Sequence, residues 1–243
     1  MAIKNVAIPH TLTFKQKTEV SPGVYAFTFV PEKPFTWKAG QHGIFEIPLI
    51  NGKTGRKPFS ISSAPAEGVV SITTRFNKEY AGLFKQSLMK MKKGTAIKMR
   101  GPIGKLHIKY PSKPYGLLAT GIGITPFRSL LTQLDADGLD TKVTLVYVGN
   151  KDNHFYRSEL TEIKNNHANV TIHYIFKPER ITGHIIEEVF GNELSDTIFL
   201  LSGSRQMIKS YKRTLQGLGV PRAHIKRDTF LGLRPASAAP TEP

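Results

Sequence analysis

Three stretches of this chain combine residue types that can hold a phosphate or a planar ring. The first is Thr120-Gly121-Ile122-Gly123-Ile124-Thr125-Pro126, which follows the apolar run 116–119 and opens a helically periodic segment at 126–134. Two glycines let the backbone approach a phosphate, and a helix start offers free N–H groups and positive dipole. Thr125 suits an N-cap, and Pro126 suits the first helical position, where no N–H is needed. A tight strand-to-helix turn needing glycine for its dihedrals is the plain alternative, because the third glycine of the usual dinucleotide pattern is missing. The second stretch, Ser202-Gly203-Ser204-Arg205, follows the apolar run 197–201. Ser204 is placed to cap a helix whose core face carries Met207, Tyr211 and Leu215. In an open parallel sheet both turns fall at the carboxyl edge, where ligands bind.

The third stretch, Gly55-Arg56-Lys57-Pro58-Phe59-Ser60, joins two cations, a rigid proline, an aromatic and a hydroxyl. Such groups can pair with a phosphate, stack on a flat ring and hydrogen-bond to its polar edge. A solvated basic turn entering a strand uses the same residues. The histidines His42, His107, His154, His167, His173, His184 and His224 show no metal-like pairing, and His10 stands apart. All eight read as structural or surface residues, with no metal site.

The elements that must position these groups change character halfway along the chain. Before residue 110, Leu12 and Phe14, then Tyr25, Phe27 and Phe29, then Ile44, Phe45 and Ile47 mark short strands. Further short runs at 58–63, 69–75 and 95–101 predict an antiparallel barrel or sandwich. A helix is expected from Ala81 to Met91, ended by Gly94. After Tyr110-Pro111-Ser112-Lys113-Pro114, apolar strands at 116–119, 143–148, 170–176 and 197–201 alternate with helices at 126–134, 155–165, 184–190 and 205–216. Such alternation predicts βαβ units and a doubly wound parallel sheet. The expected division is therefore 1–111, 112–233 and a frayed Ala/Pro-rich tail at 234–243.

Composition narrows the function classes. The 243 residues are 40% hydrophobic and 21% charged, with no cysteine, so disulfides, thiolate-bound iron–sulfur clusters and Cys-ligated zinc are excluded. The lack of cysteine fits a cytoplasmic protein; no apolar run reaches the roughly 18 residues of a membrane span, and the first residues lack a signal-like apolar region. Net charge is +16. Residues 1–110 hold 18 basic and 5 acidic residues (+13), against +3 for the remainder. A field of that size attracts anionic partners, but no nucleic-acid-binding module is present.

Taken in order, Lys38-Ala39-Gly40-Gln41, Lys57-Pro58-Phe59-Ser60, Gly101-Pro102-Ile103-Gly104, Gly121-Ile122-Gly123-Ile124-Thr125-Pro126, Ser202-Gly203-Ser204 and Asp228-Thr229-Phe230 resemble the ferredoxin–NADP reductase superfamily over residues 8–233. The resemblance implies a flavin-binding Greek-key β-barrel joined to an NAD(P)-binding α/β domain, with hydride passing from NAD(P)H to flavin N5. It implies that Phe59 meets the flavin ring, Ser60 lies near N5, and Lys57 takes the position of the family's phosphate-binding arginine, with Arg56 as a possible substitute. Thr73, Arg75, Gly82 and Leu83 are implied to complete the flavin site. Thr120, Gly121, Gly123, Thr125, Pro126, Asn150, Lys151, Gly203, Ser204, Arg205 and Met207 are implied for the nucleotide. Ser202 stands where the family's reductases carry a cysteine beside the nicotinamide. Asp228 matches the accompanying acid, and Phe230 the aromatic near the flavin. At the second phosphate-binding segment the family's serine is absent from Ala81-Gly82-Leu83.

These readings imply FAD rather than FMN as cofactor. With no acid in Gly149-Asn150-Lys151 after strand 143–148 to bond a ribose 2′-OH, and with Lys151 and Arg205 available to a 2′-phosphate, a mild preference for NADPH is expected. The excess positive charge of the first half points to an acidic electron-transfer protein, such as a ferredoxin or flavodoxin, as acceptor. The rival readings are a free-flavin or ferric reductase, distinguished by whether yellow flavin copurifies, and a nucleotide-sensing module without turnover, distinguished by NADPH oxidation with an artificial acceptor.

Overall fold

The computed structural model describes residues 9–150 and 154–228. Six antiparallel strands come first: β1 (His10–Ser21), β2 (Val24–Pro31), β3 (His42–Pro48), β4 (Thr54–Ser60), β5 (Val70–Arg75) and β6 (Ala96–Ile103). They pair in the order β4-β3-β6-β1-β2-β5. The sheet curls until its edges approach, where Ser62 N donates to Ser71 O (2.7 Å). Alternate side chains, among them Leu12, Phe14, Phe27, Phe29, Phe45, Ile47, Val70 and Ile72, face a common buried core. The helix α1 (Leu83–Met89) plugs it with Phe84 and Leu88.

Two local expectations need correction. The helix expected at 81–91 is shorter, because Gly82 is still extended (φ −63°, ψ 160°) and Lys90 has left helical geometry. The strand expected at 58–63 begins earlier, at Thr54, as the second arm of a hairpin with β3. Pro58 is compatible with it because β4 is an edge strand, where a missing donor is tolerated.

The second sheet contains β7 (Tyr115–Thr120), β8 (Val143–Gly149), β9 (Val170–Phe176), β10 (Ile198–Ser202) and β11 (Ile225–Arg227), in the order β11-β10-β7-β8-β9. Each adjacent pair is parallel. On one face α2 (Thr125–Asp137) and α3 (Arg157–Asn166) pack against Leu117, Leu145, Ile172 and Leu200. On the other, α4 (Gly183–Phe190) and α5 (Arg205–Gly217) cover Leu118, Val146, Phe199 and Leu201. The order reverses between β7 and β10, which makes their carboxyl ends the topological switch point. The strand β11 carries no apolar run and was not expected.

α2 also joins the two halves. Its Ser129 hydroxyl donates to Ser63 O (2.6 Å), and its Gln133 carbonyl accepts from Ala66 N (2.8 Å). Arg128 donates to Ser62 O (3.1 Å), pairs with Glu67 of the barrel and reaches Glu159 of α3 (2.7 Å).

Candidate functional site

On β4 the strand pleat separates the two cations, since consecutive residues face opposite sides. Arg56 turns to Glu46 (3.1 Å), which also holds Arg100 (2.6 Å). Hydrogen bonding from Arg100, reinforced by Arg56, keeps the Glu46 carboxyl below its usual range despite burial. Lys57 instead lies on the side where Lys85 and Arg75 approach. The Lys85 ammonium donates to Arg75 O (2.7 Å), and its pKa is lowered by burial and by the charges of Lys57 and Arg75. The Lys85 ammonium thus sits at the backbone of β5 within reach of the charges of Lys57 and Arg75, and a phosphate group would relieve their repulsion. The sequence pattern does not single out Lys85, because it lies inside α1, beyond the Ala81-Gly82-Leu83 segment that the resemblance aligns with the family's serine.

Phe59 is half-buried, stacked on Phe84 (5.6 Å between ring centroids) and edge-on to Phe45 (6.2 Å). Ser60 is buried and stands in register opposite His42. The same histidine bonds Asp228: His42 Nδ1 lies 3.0 Å from Asp228 Oδ2, and Lys105 N donates to Oδ1 (2.9 Å). Gly104, at φ +116°, must lack a side chain, because a Cβ there would lie 2.5 Å from Asp228 Oδ2. His42 is therefore placed beside two expected site residues, and the β3–β4 pairing was the signal for it. Thr73 shares its hydroxyl with Tyr156 (2.5 Å) and Ser62 (2.9 Å), while Arg75 lies over Phe155 (5.4 Å).

The two turns of the parallel sheet meet at the switch point. Gly123 is pressed against the second turn so closely that a Cβ would lie 2.6 Å from Ser202 O. Thr120 is held by Tyr211 (2.6 Å) and Gly121 O by Tyr147 (3.1 Å). Thr125 is not the N-cap: a 3₁₀ turn, Gly121–Ile124, runs straight into α2, and the Thr125 hydroxyl donates back to Ile122 O (3.1 Å). Ser204 does cap α5, accepting from Met207 N (3.4 Å).

Beside this turn lies a cavity of about 670 Å³, lined by Ser204, Met207, Tyr211, Lys177, Glu179 and Arg180 among others. Lys177 and Arg180 follow β9, whose carboxyl end shares the edge with both turns. That shared edge was the signal by which the sequence could have yielded them. Asn150 is exposed at the end of β8. Lys151 and Phe230 lie outside the described residues. Among the described residues no cluster of metal-binding side chains occurs and no helix is long and apolar enough to cross a membrane.

Residues 11–108 match the family model of an oxidoreductase FAD-binding domain, and residues 117–213 that of an oxidoreductase NAD-binding domain. The chain is 26% identical over 234 residues to flavohemoprotein A of Dictyostelium discoideum, covering 88% of this chain and 58% of that one. It is 29% identical over 199 residues to NADH-cytochrome b5 reductase 1 of Candida glabrata, covering 76% and 69%. The ferredoxin–NADP+ reductase of Plasmodium falciparum superposes with a TM-score of 0.75 at 18% identity, over 95% of this chain and 99% of that one.

Proposed function

Because the chain belongs to the ferredoxin–NADP reductase superfamily of FAD- and NAD(P)-binding oxidoreductases, we propose that it oxidises NAD(P)H through FAD and delivers the electrons to an acidic redox protein. When bound, FAD supplies the redox chemistry, taking hydride from the reduced nicotinamide and passing electrons to an acceptor. The protein's part is binding and orientation. Lys57, Arg75 and Lys85 hold the cofactor's phosphates, and the reading is carried by the Lys85 ammonium of α1 bonded to Arg75 O of β5, with Lys57 of β4 close enough to act on its charge. Lysine acts there as a point charge, without the two-pronged grip of arginine. Phe59, itself braced by Phe84, supports the ring, and Ser60 offers a hydroxyl to its polar edge. Asp228, fixed by His42 and Lys105 N, ties the last described residues to the barrel beside Ser60.

The nicotinamide nucleotide lies along the switch point, with its phosphates at the Gly121–Ile124 and Ser202–Ser204 turns and its adenosine in the adjoining cavity. Two cations and one acid line that cavity, so NADPH is favoured modestly over NADH. The +13 of residues 1–110 supports an acidic acceptor, since charge complementarity speeds encounter and is screened by salt. The purified protein should be yellow, lose its colour on NADPH addition under nitrogen, and reduce an acidic ferredoxin or flavodoxin faster at low salt. A colourless protein that reduces added flavin would make it a free-flavin reductase. A yellow protein that turns over with rates indifferent to ionic strength would remove the acidic partner alone.

A further inference from the structure

At the opposite end of the parallel sheet lies a cavity that neither the flavin nor the nucleotide reading uses. Its volume is about 370 Å³, and its lining is Lys105, His107, Lys109, Tyr110, Tyr115, Ile198 and Lys226. Tyr115 and Ile198 are the first residues of β7 and β10. A strand advances about 3.3 Å per residue, so the turns that follow β7 and β10 are roughly 16 Å away. The cavity sits on the seam between the halves, because Lys105–Tyr110 follow the last barrel strand and Lys226 belongs to β11.

Its chemistry is one-sided. Three lysines line it and no carboxylate does, and among the described residues none of the three ammonium groups has a carboxylate partner. Asp228, the acid nearest in sequence to Lys226, is committed to His42 and to Lys105 N. Lys109 lies over the Tyr110 ring (5.0 Å), and that ring remains half exposed. The Tyr115 hydroxyl is buried and accepts from Lys109 N (2.9 Å) and Tyr110 N (3.0 Å), which fills its oxygen and leaves its proton to give. Beside it, His107 Nδ1 is buried without a partner. Gathering like charges around unused hydrogen-bonding groups is unfavourable unless an anion completes the set. We propose that this seam cavity binds a phosphorylated small molecule with a flat ring, its phosphate on Lys105, Lys109, Lys226 and the Tyr115 O–H, its ring against Tyr110. The inference does not rest on the identity of the electron acceptor.

The test uses the full chain saturated with FAD and two probes, inorganic phosphate and phenyl phosphate, with binding followed by calorimetry and thermal shift. Phenyl phosphate should bind at least fivefold more tightly than phosphate. Lys109→Gln with Lys226→Gln should weaken both probes at least tenfold, and these partly exposed positions tolerate the change without unfolding. Tyr110→Ala should remove the advantage of phenyl phosphate while leaving phosphate binding in place. Lys177→Gln with Arg180→Gln, at the nucleotide cavity, should leave both affinities unchanged. Absence of binding, or binding lost only in the Lys177/Arg180 pair, overturns the proposal. So does a Lys109/Lys226 variant that binds both probes normally yet transfers electrons poorly to an acidic protein, which would make these lysines part of a docking face.

Discussion

The two halves of the proposed site would hold anions by different means. In the barrel, Lys57, Arg75 and Lys85 arrive from three separate elements, and charge is the main instrument. At the sheet's switch point, the instrument is close-packed backbone: Gly123 against Ser202, and Thr120 and Gly121 O held by buried tyrosine hydroxyls. A site made of charge tolerates exchange of one cation for another and weakens with salt. One made of backbone contact is indifferent to salt and intolerant of a single added methyl.

The largest effect should come from breaking the backbone contact. Gly123→Ala places a Cβ 2.6 Å from Ser202 O and 2.8 Å from Gly203 N, all backbone, with no flexible side chain able to give way. Relief requires the two turns to separate. We expect a loss of about 1–3 kcal/mol in stability, as for overpacking generally. A rise in KM for NAD(P)H of tenfold or more should accompany it, with FAD affinity nearly unchanged. Steady-state kinetics and urea unfolding check both halves of this statement. Equal losses of FAD and nucleotide binding would show that the two halves are not independent.

Charge should yield more gradually. Lys85→Gln removes one of three converging cations, and a hydrogen bond to a charged group contributes about 1.5–3 kcal/mol, so the FAD dissociation constant should rise roughly 10- to 100-fold. Lys57→Arg should retain or tighten FAD, because the guanidinium adds a second prong. Arg56→Gln should do little to FAD, since Arg56 serves Glu46 on the other face of β4. Fluorescence titration of the apoprotein at several salt concentrations measures all three. An Arg56 variant that loses FAD would reverse the assignment of the two faces.

Smaller still is the expected discrimination between nucleotides. Lys177→Gln combined with Arg180→Gln should raise KM for NADPH several-fold and leave NADH within twofold, because Glu179 in the same cavity offsets part of their charge. Parallel changes for both nucleotides would show that the pair reads something other than the 2′-phosphate.

The sequence was most informative where a pattern is local. Period-two alternation in Tyr25, Phe27 and Phe29, and the apolar run at 197–201, gave strands that the structure contains. The glycine turns after 119 and 201 were legible because strand, turn and helix are contiguous. What escaped depended on pairing between distant segments. Lys85 meets Arg75 and Lys57 only after the barrel curls, and His42 faces Ser60 only through the β3–β4 register. β11 is three residues, Ile225-Lys226-Arg227, and only the edge of a formed sheet makes it a strand. Thr125 departs from expectation for a different reason. Its residue type favours a cap, but the 3₁₀ turn before it already supplies helical backbone, leaving the hydroxyl to bond Ile122 O.

The smallest expected effect is on stability against pH, and it tests the packed half. His154 lies buried, its Nε2 donating to Tyr147 O (3.1 Å) and Ile175 O (3.2 Å), while Nδ1 is buried without a partner. Burial lowers its pKa below the ordinary histidine value, and the nearby Arg157 charge acts in the same direction, against the pull of the two carbonyls. The unfolded chain therefore takes up a proton near pH 6.5 that the folded chain refuses until lower pH. Stability from this group is complete above pH 6.5 and declines as pH falls from there toward the lowered folded-state value. His107 and His173, also lowered by burial, add to the same slope. His154→Gln keeps an N–H donor for the carbonyls and cannot titrate, so its unfolding free energy should fall less steeply between pH 7 and pH 5, whatever its absolute value. Urea unfolding across that range decides it. An unchanged slope would mean that His154 keeps its ordinary affinity for protons, and that water or a neighbouring group reaches Nδ1 in solution.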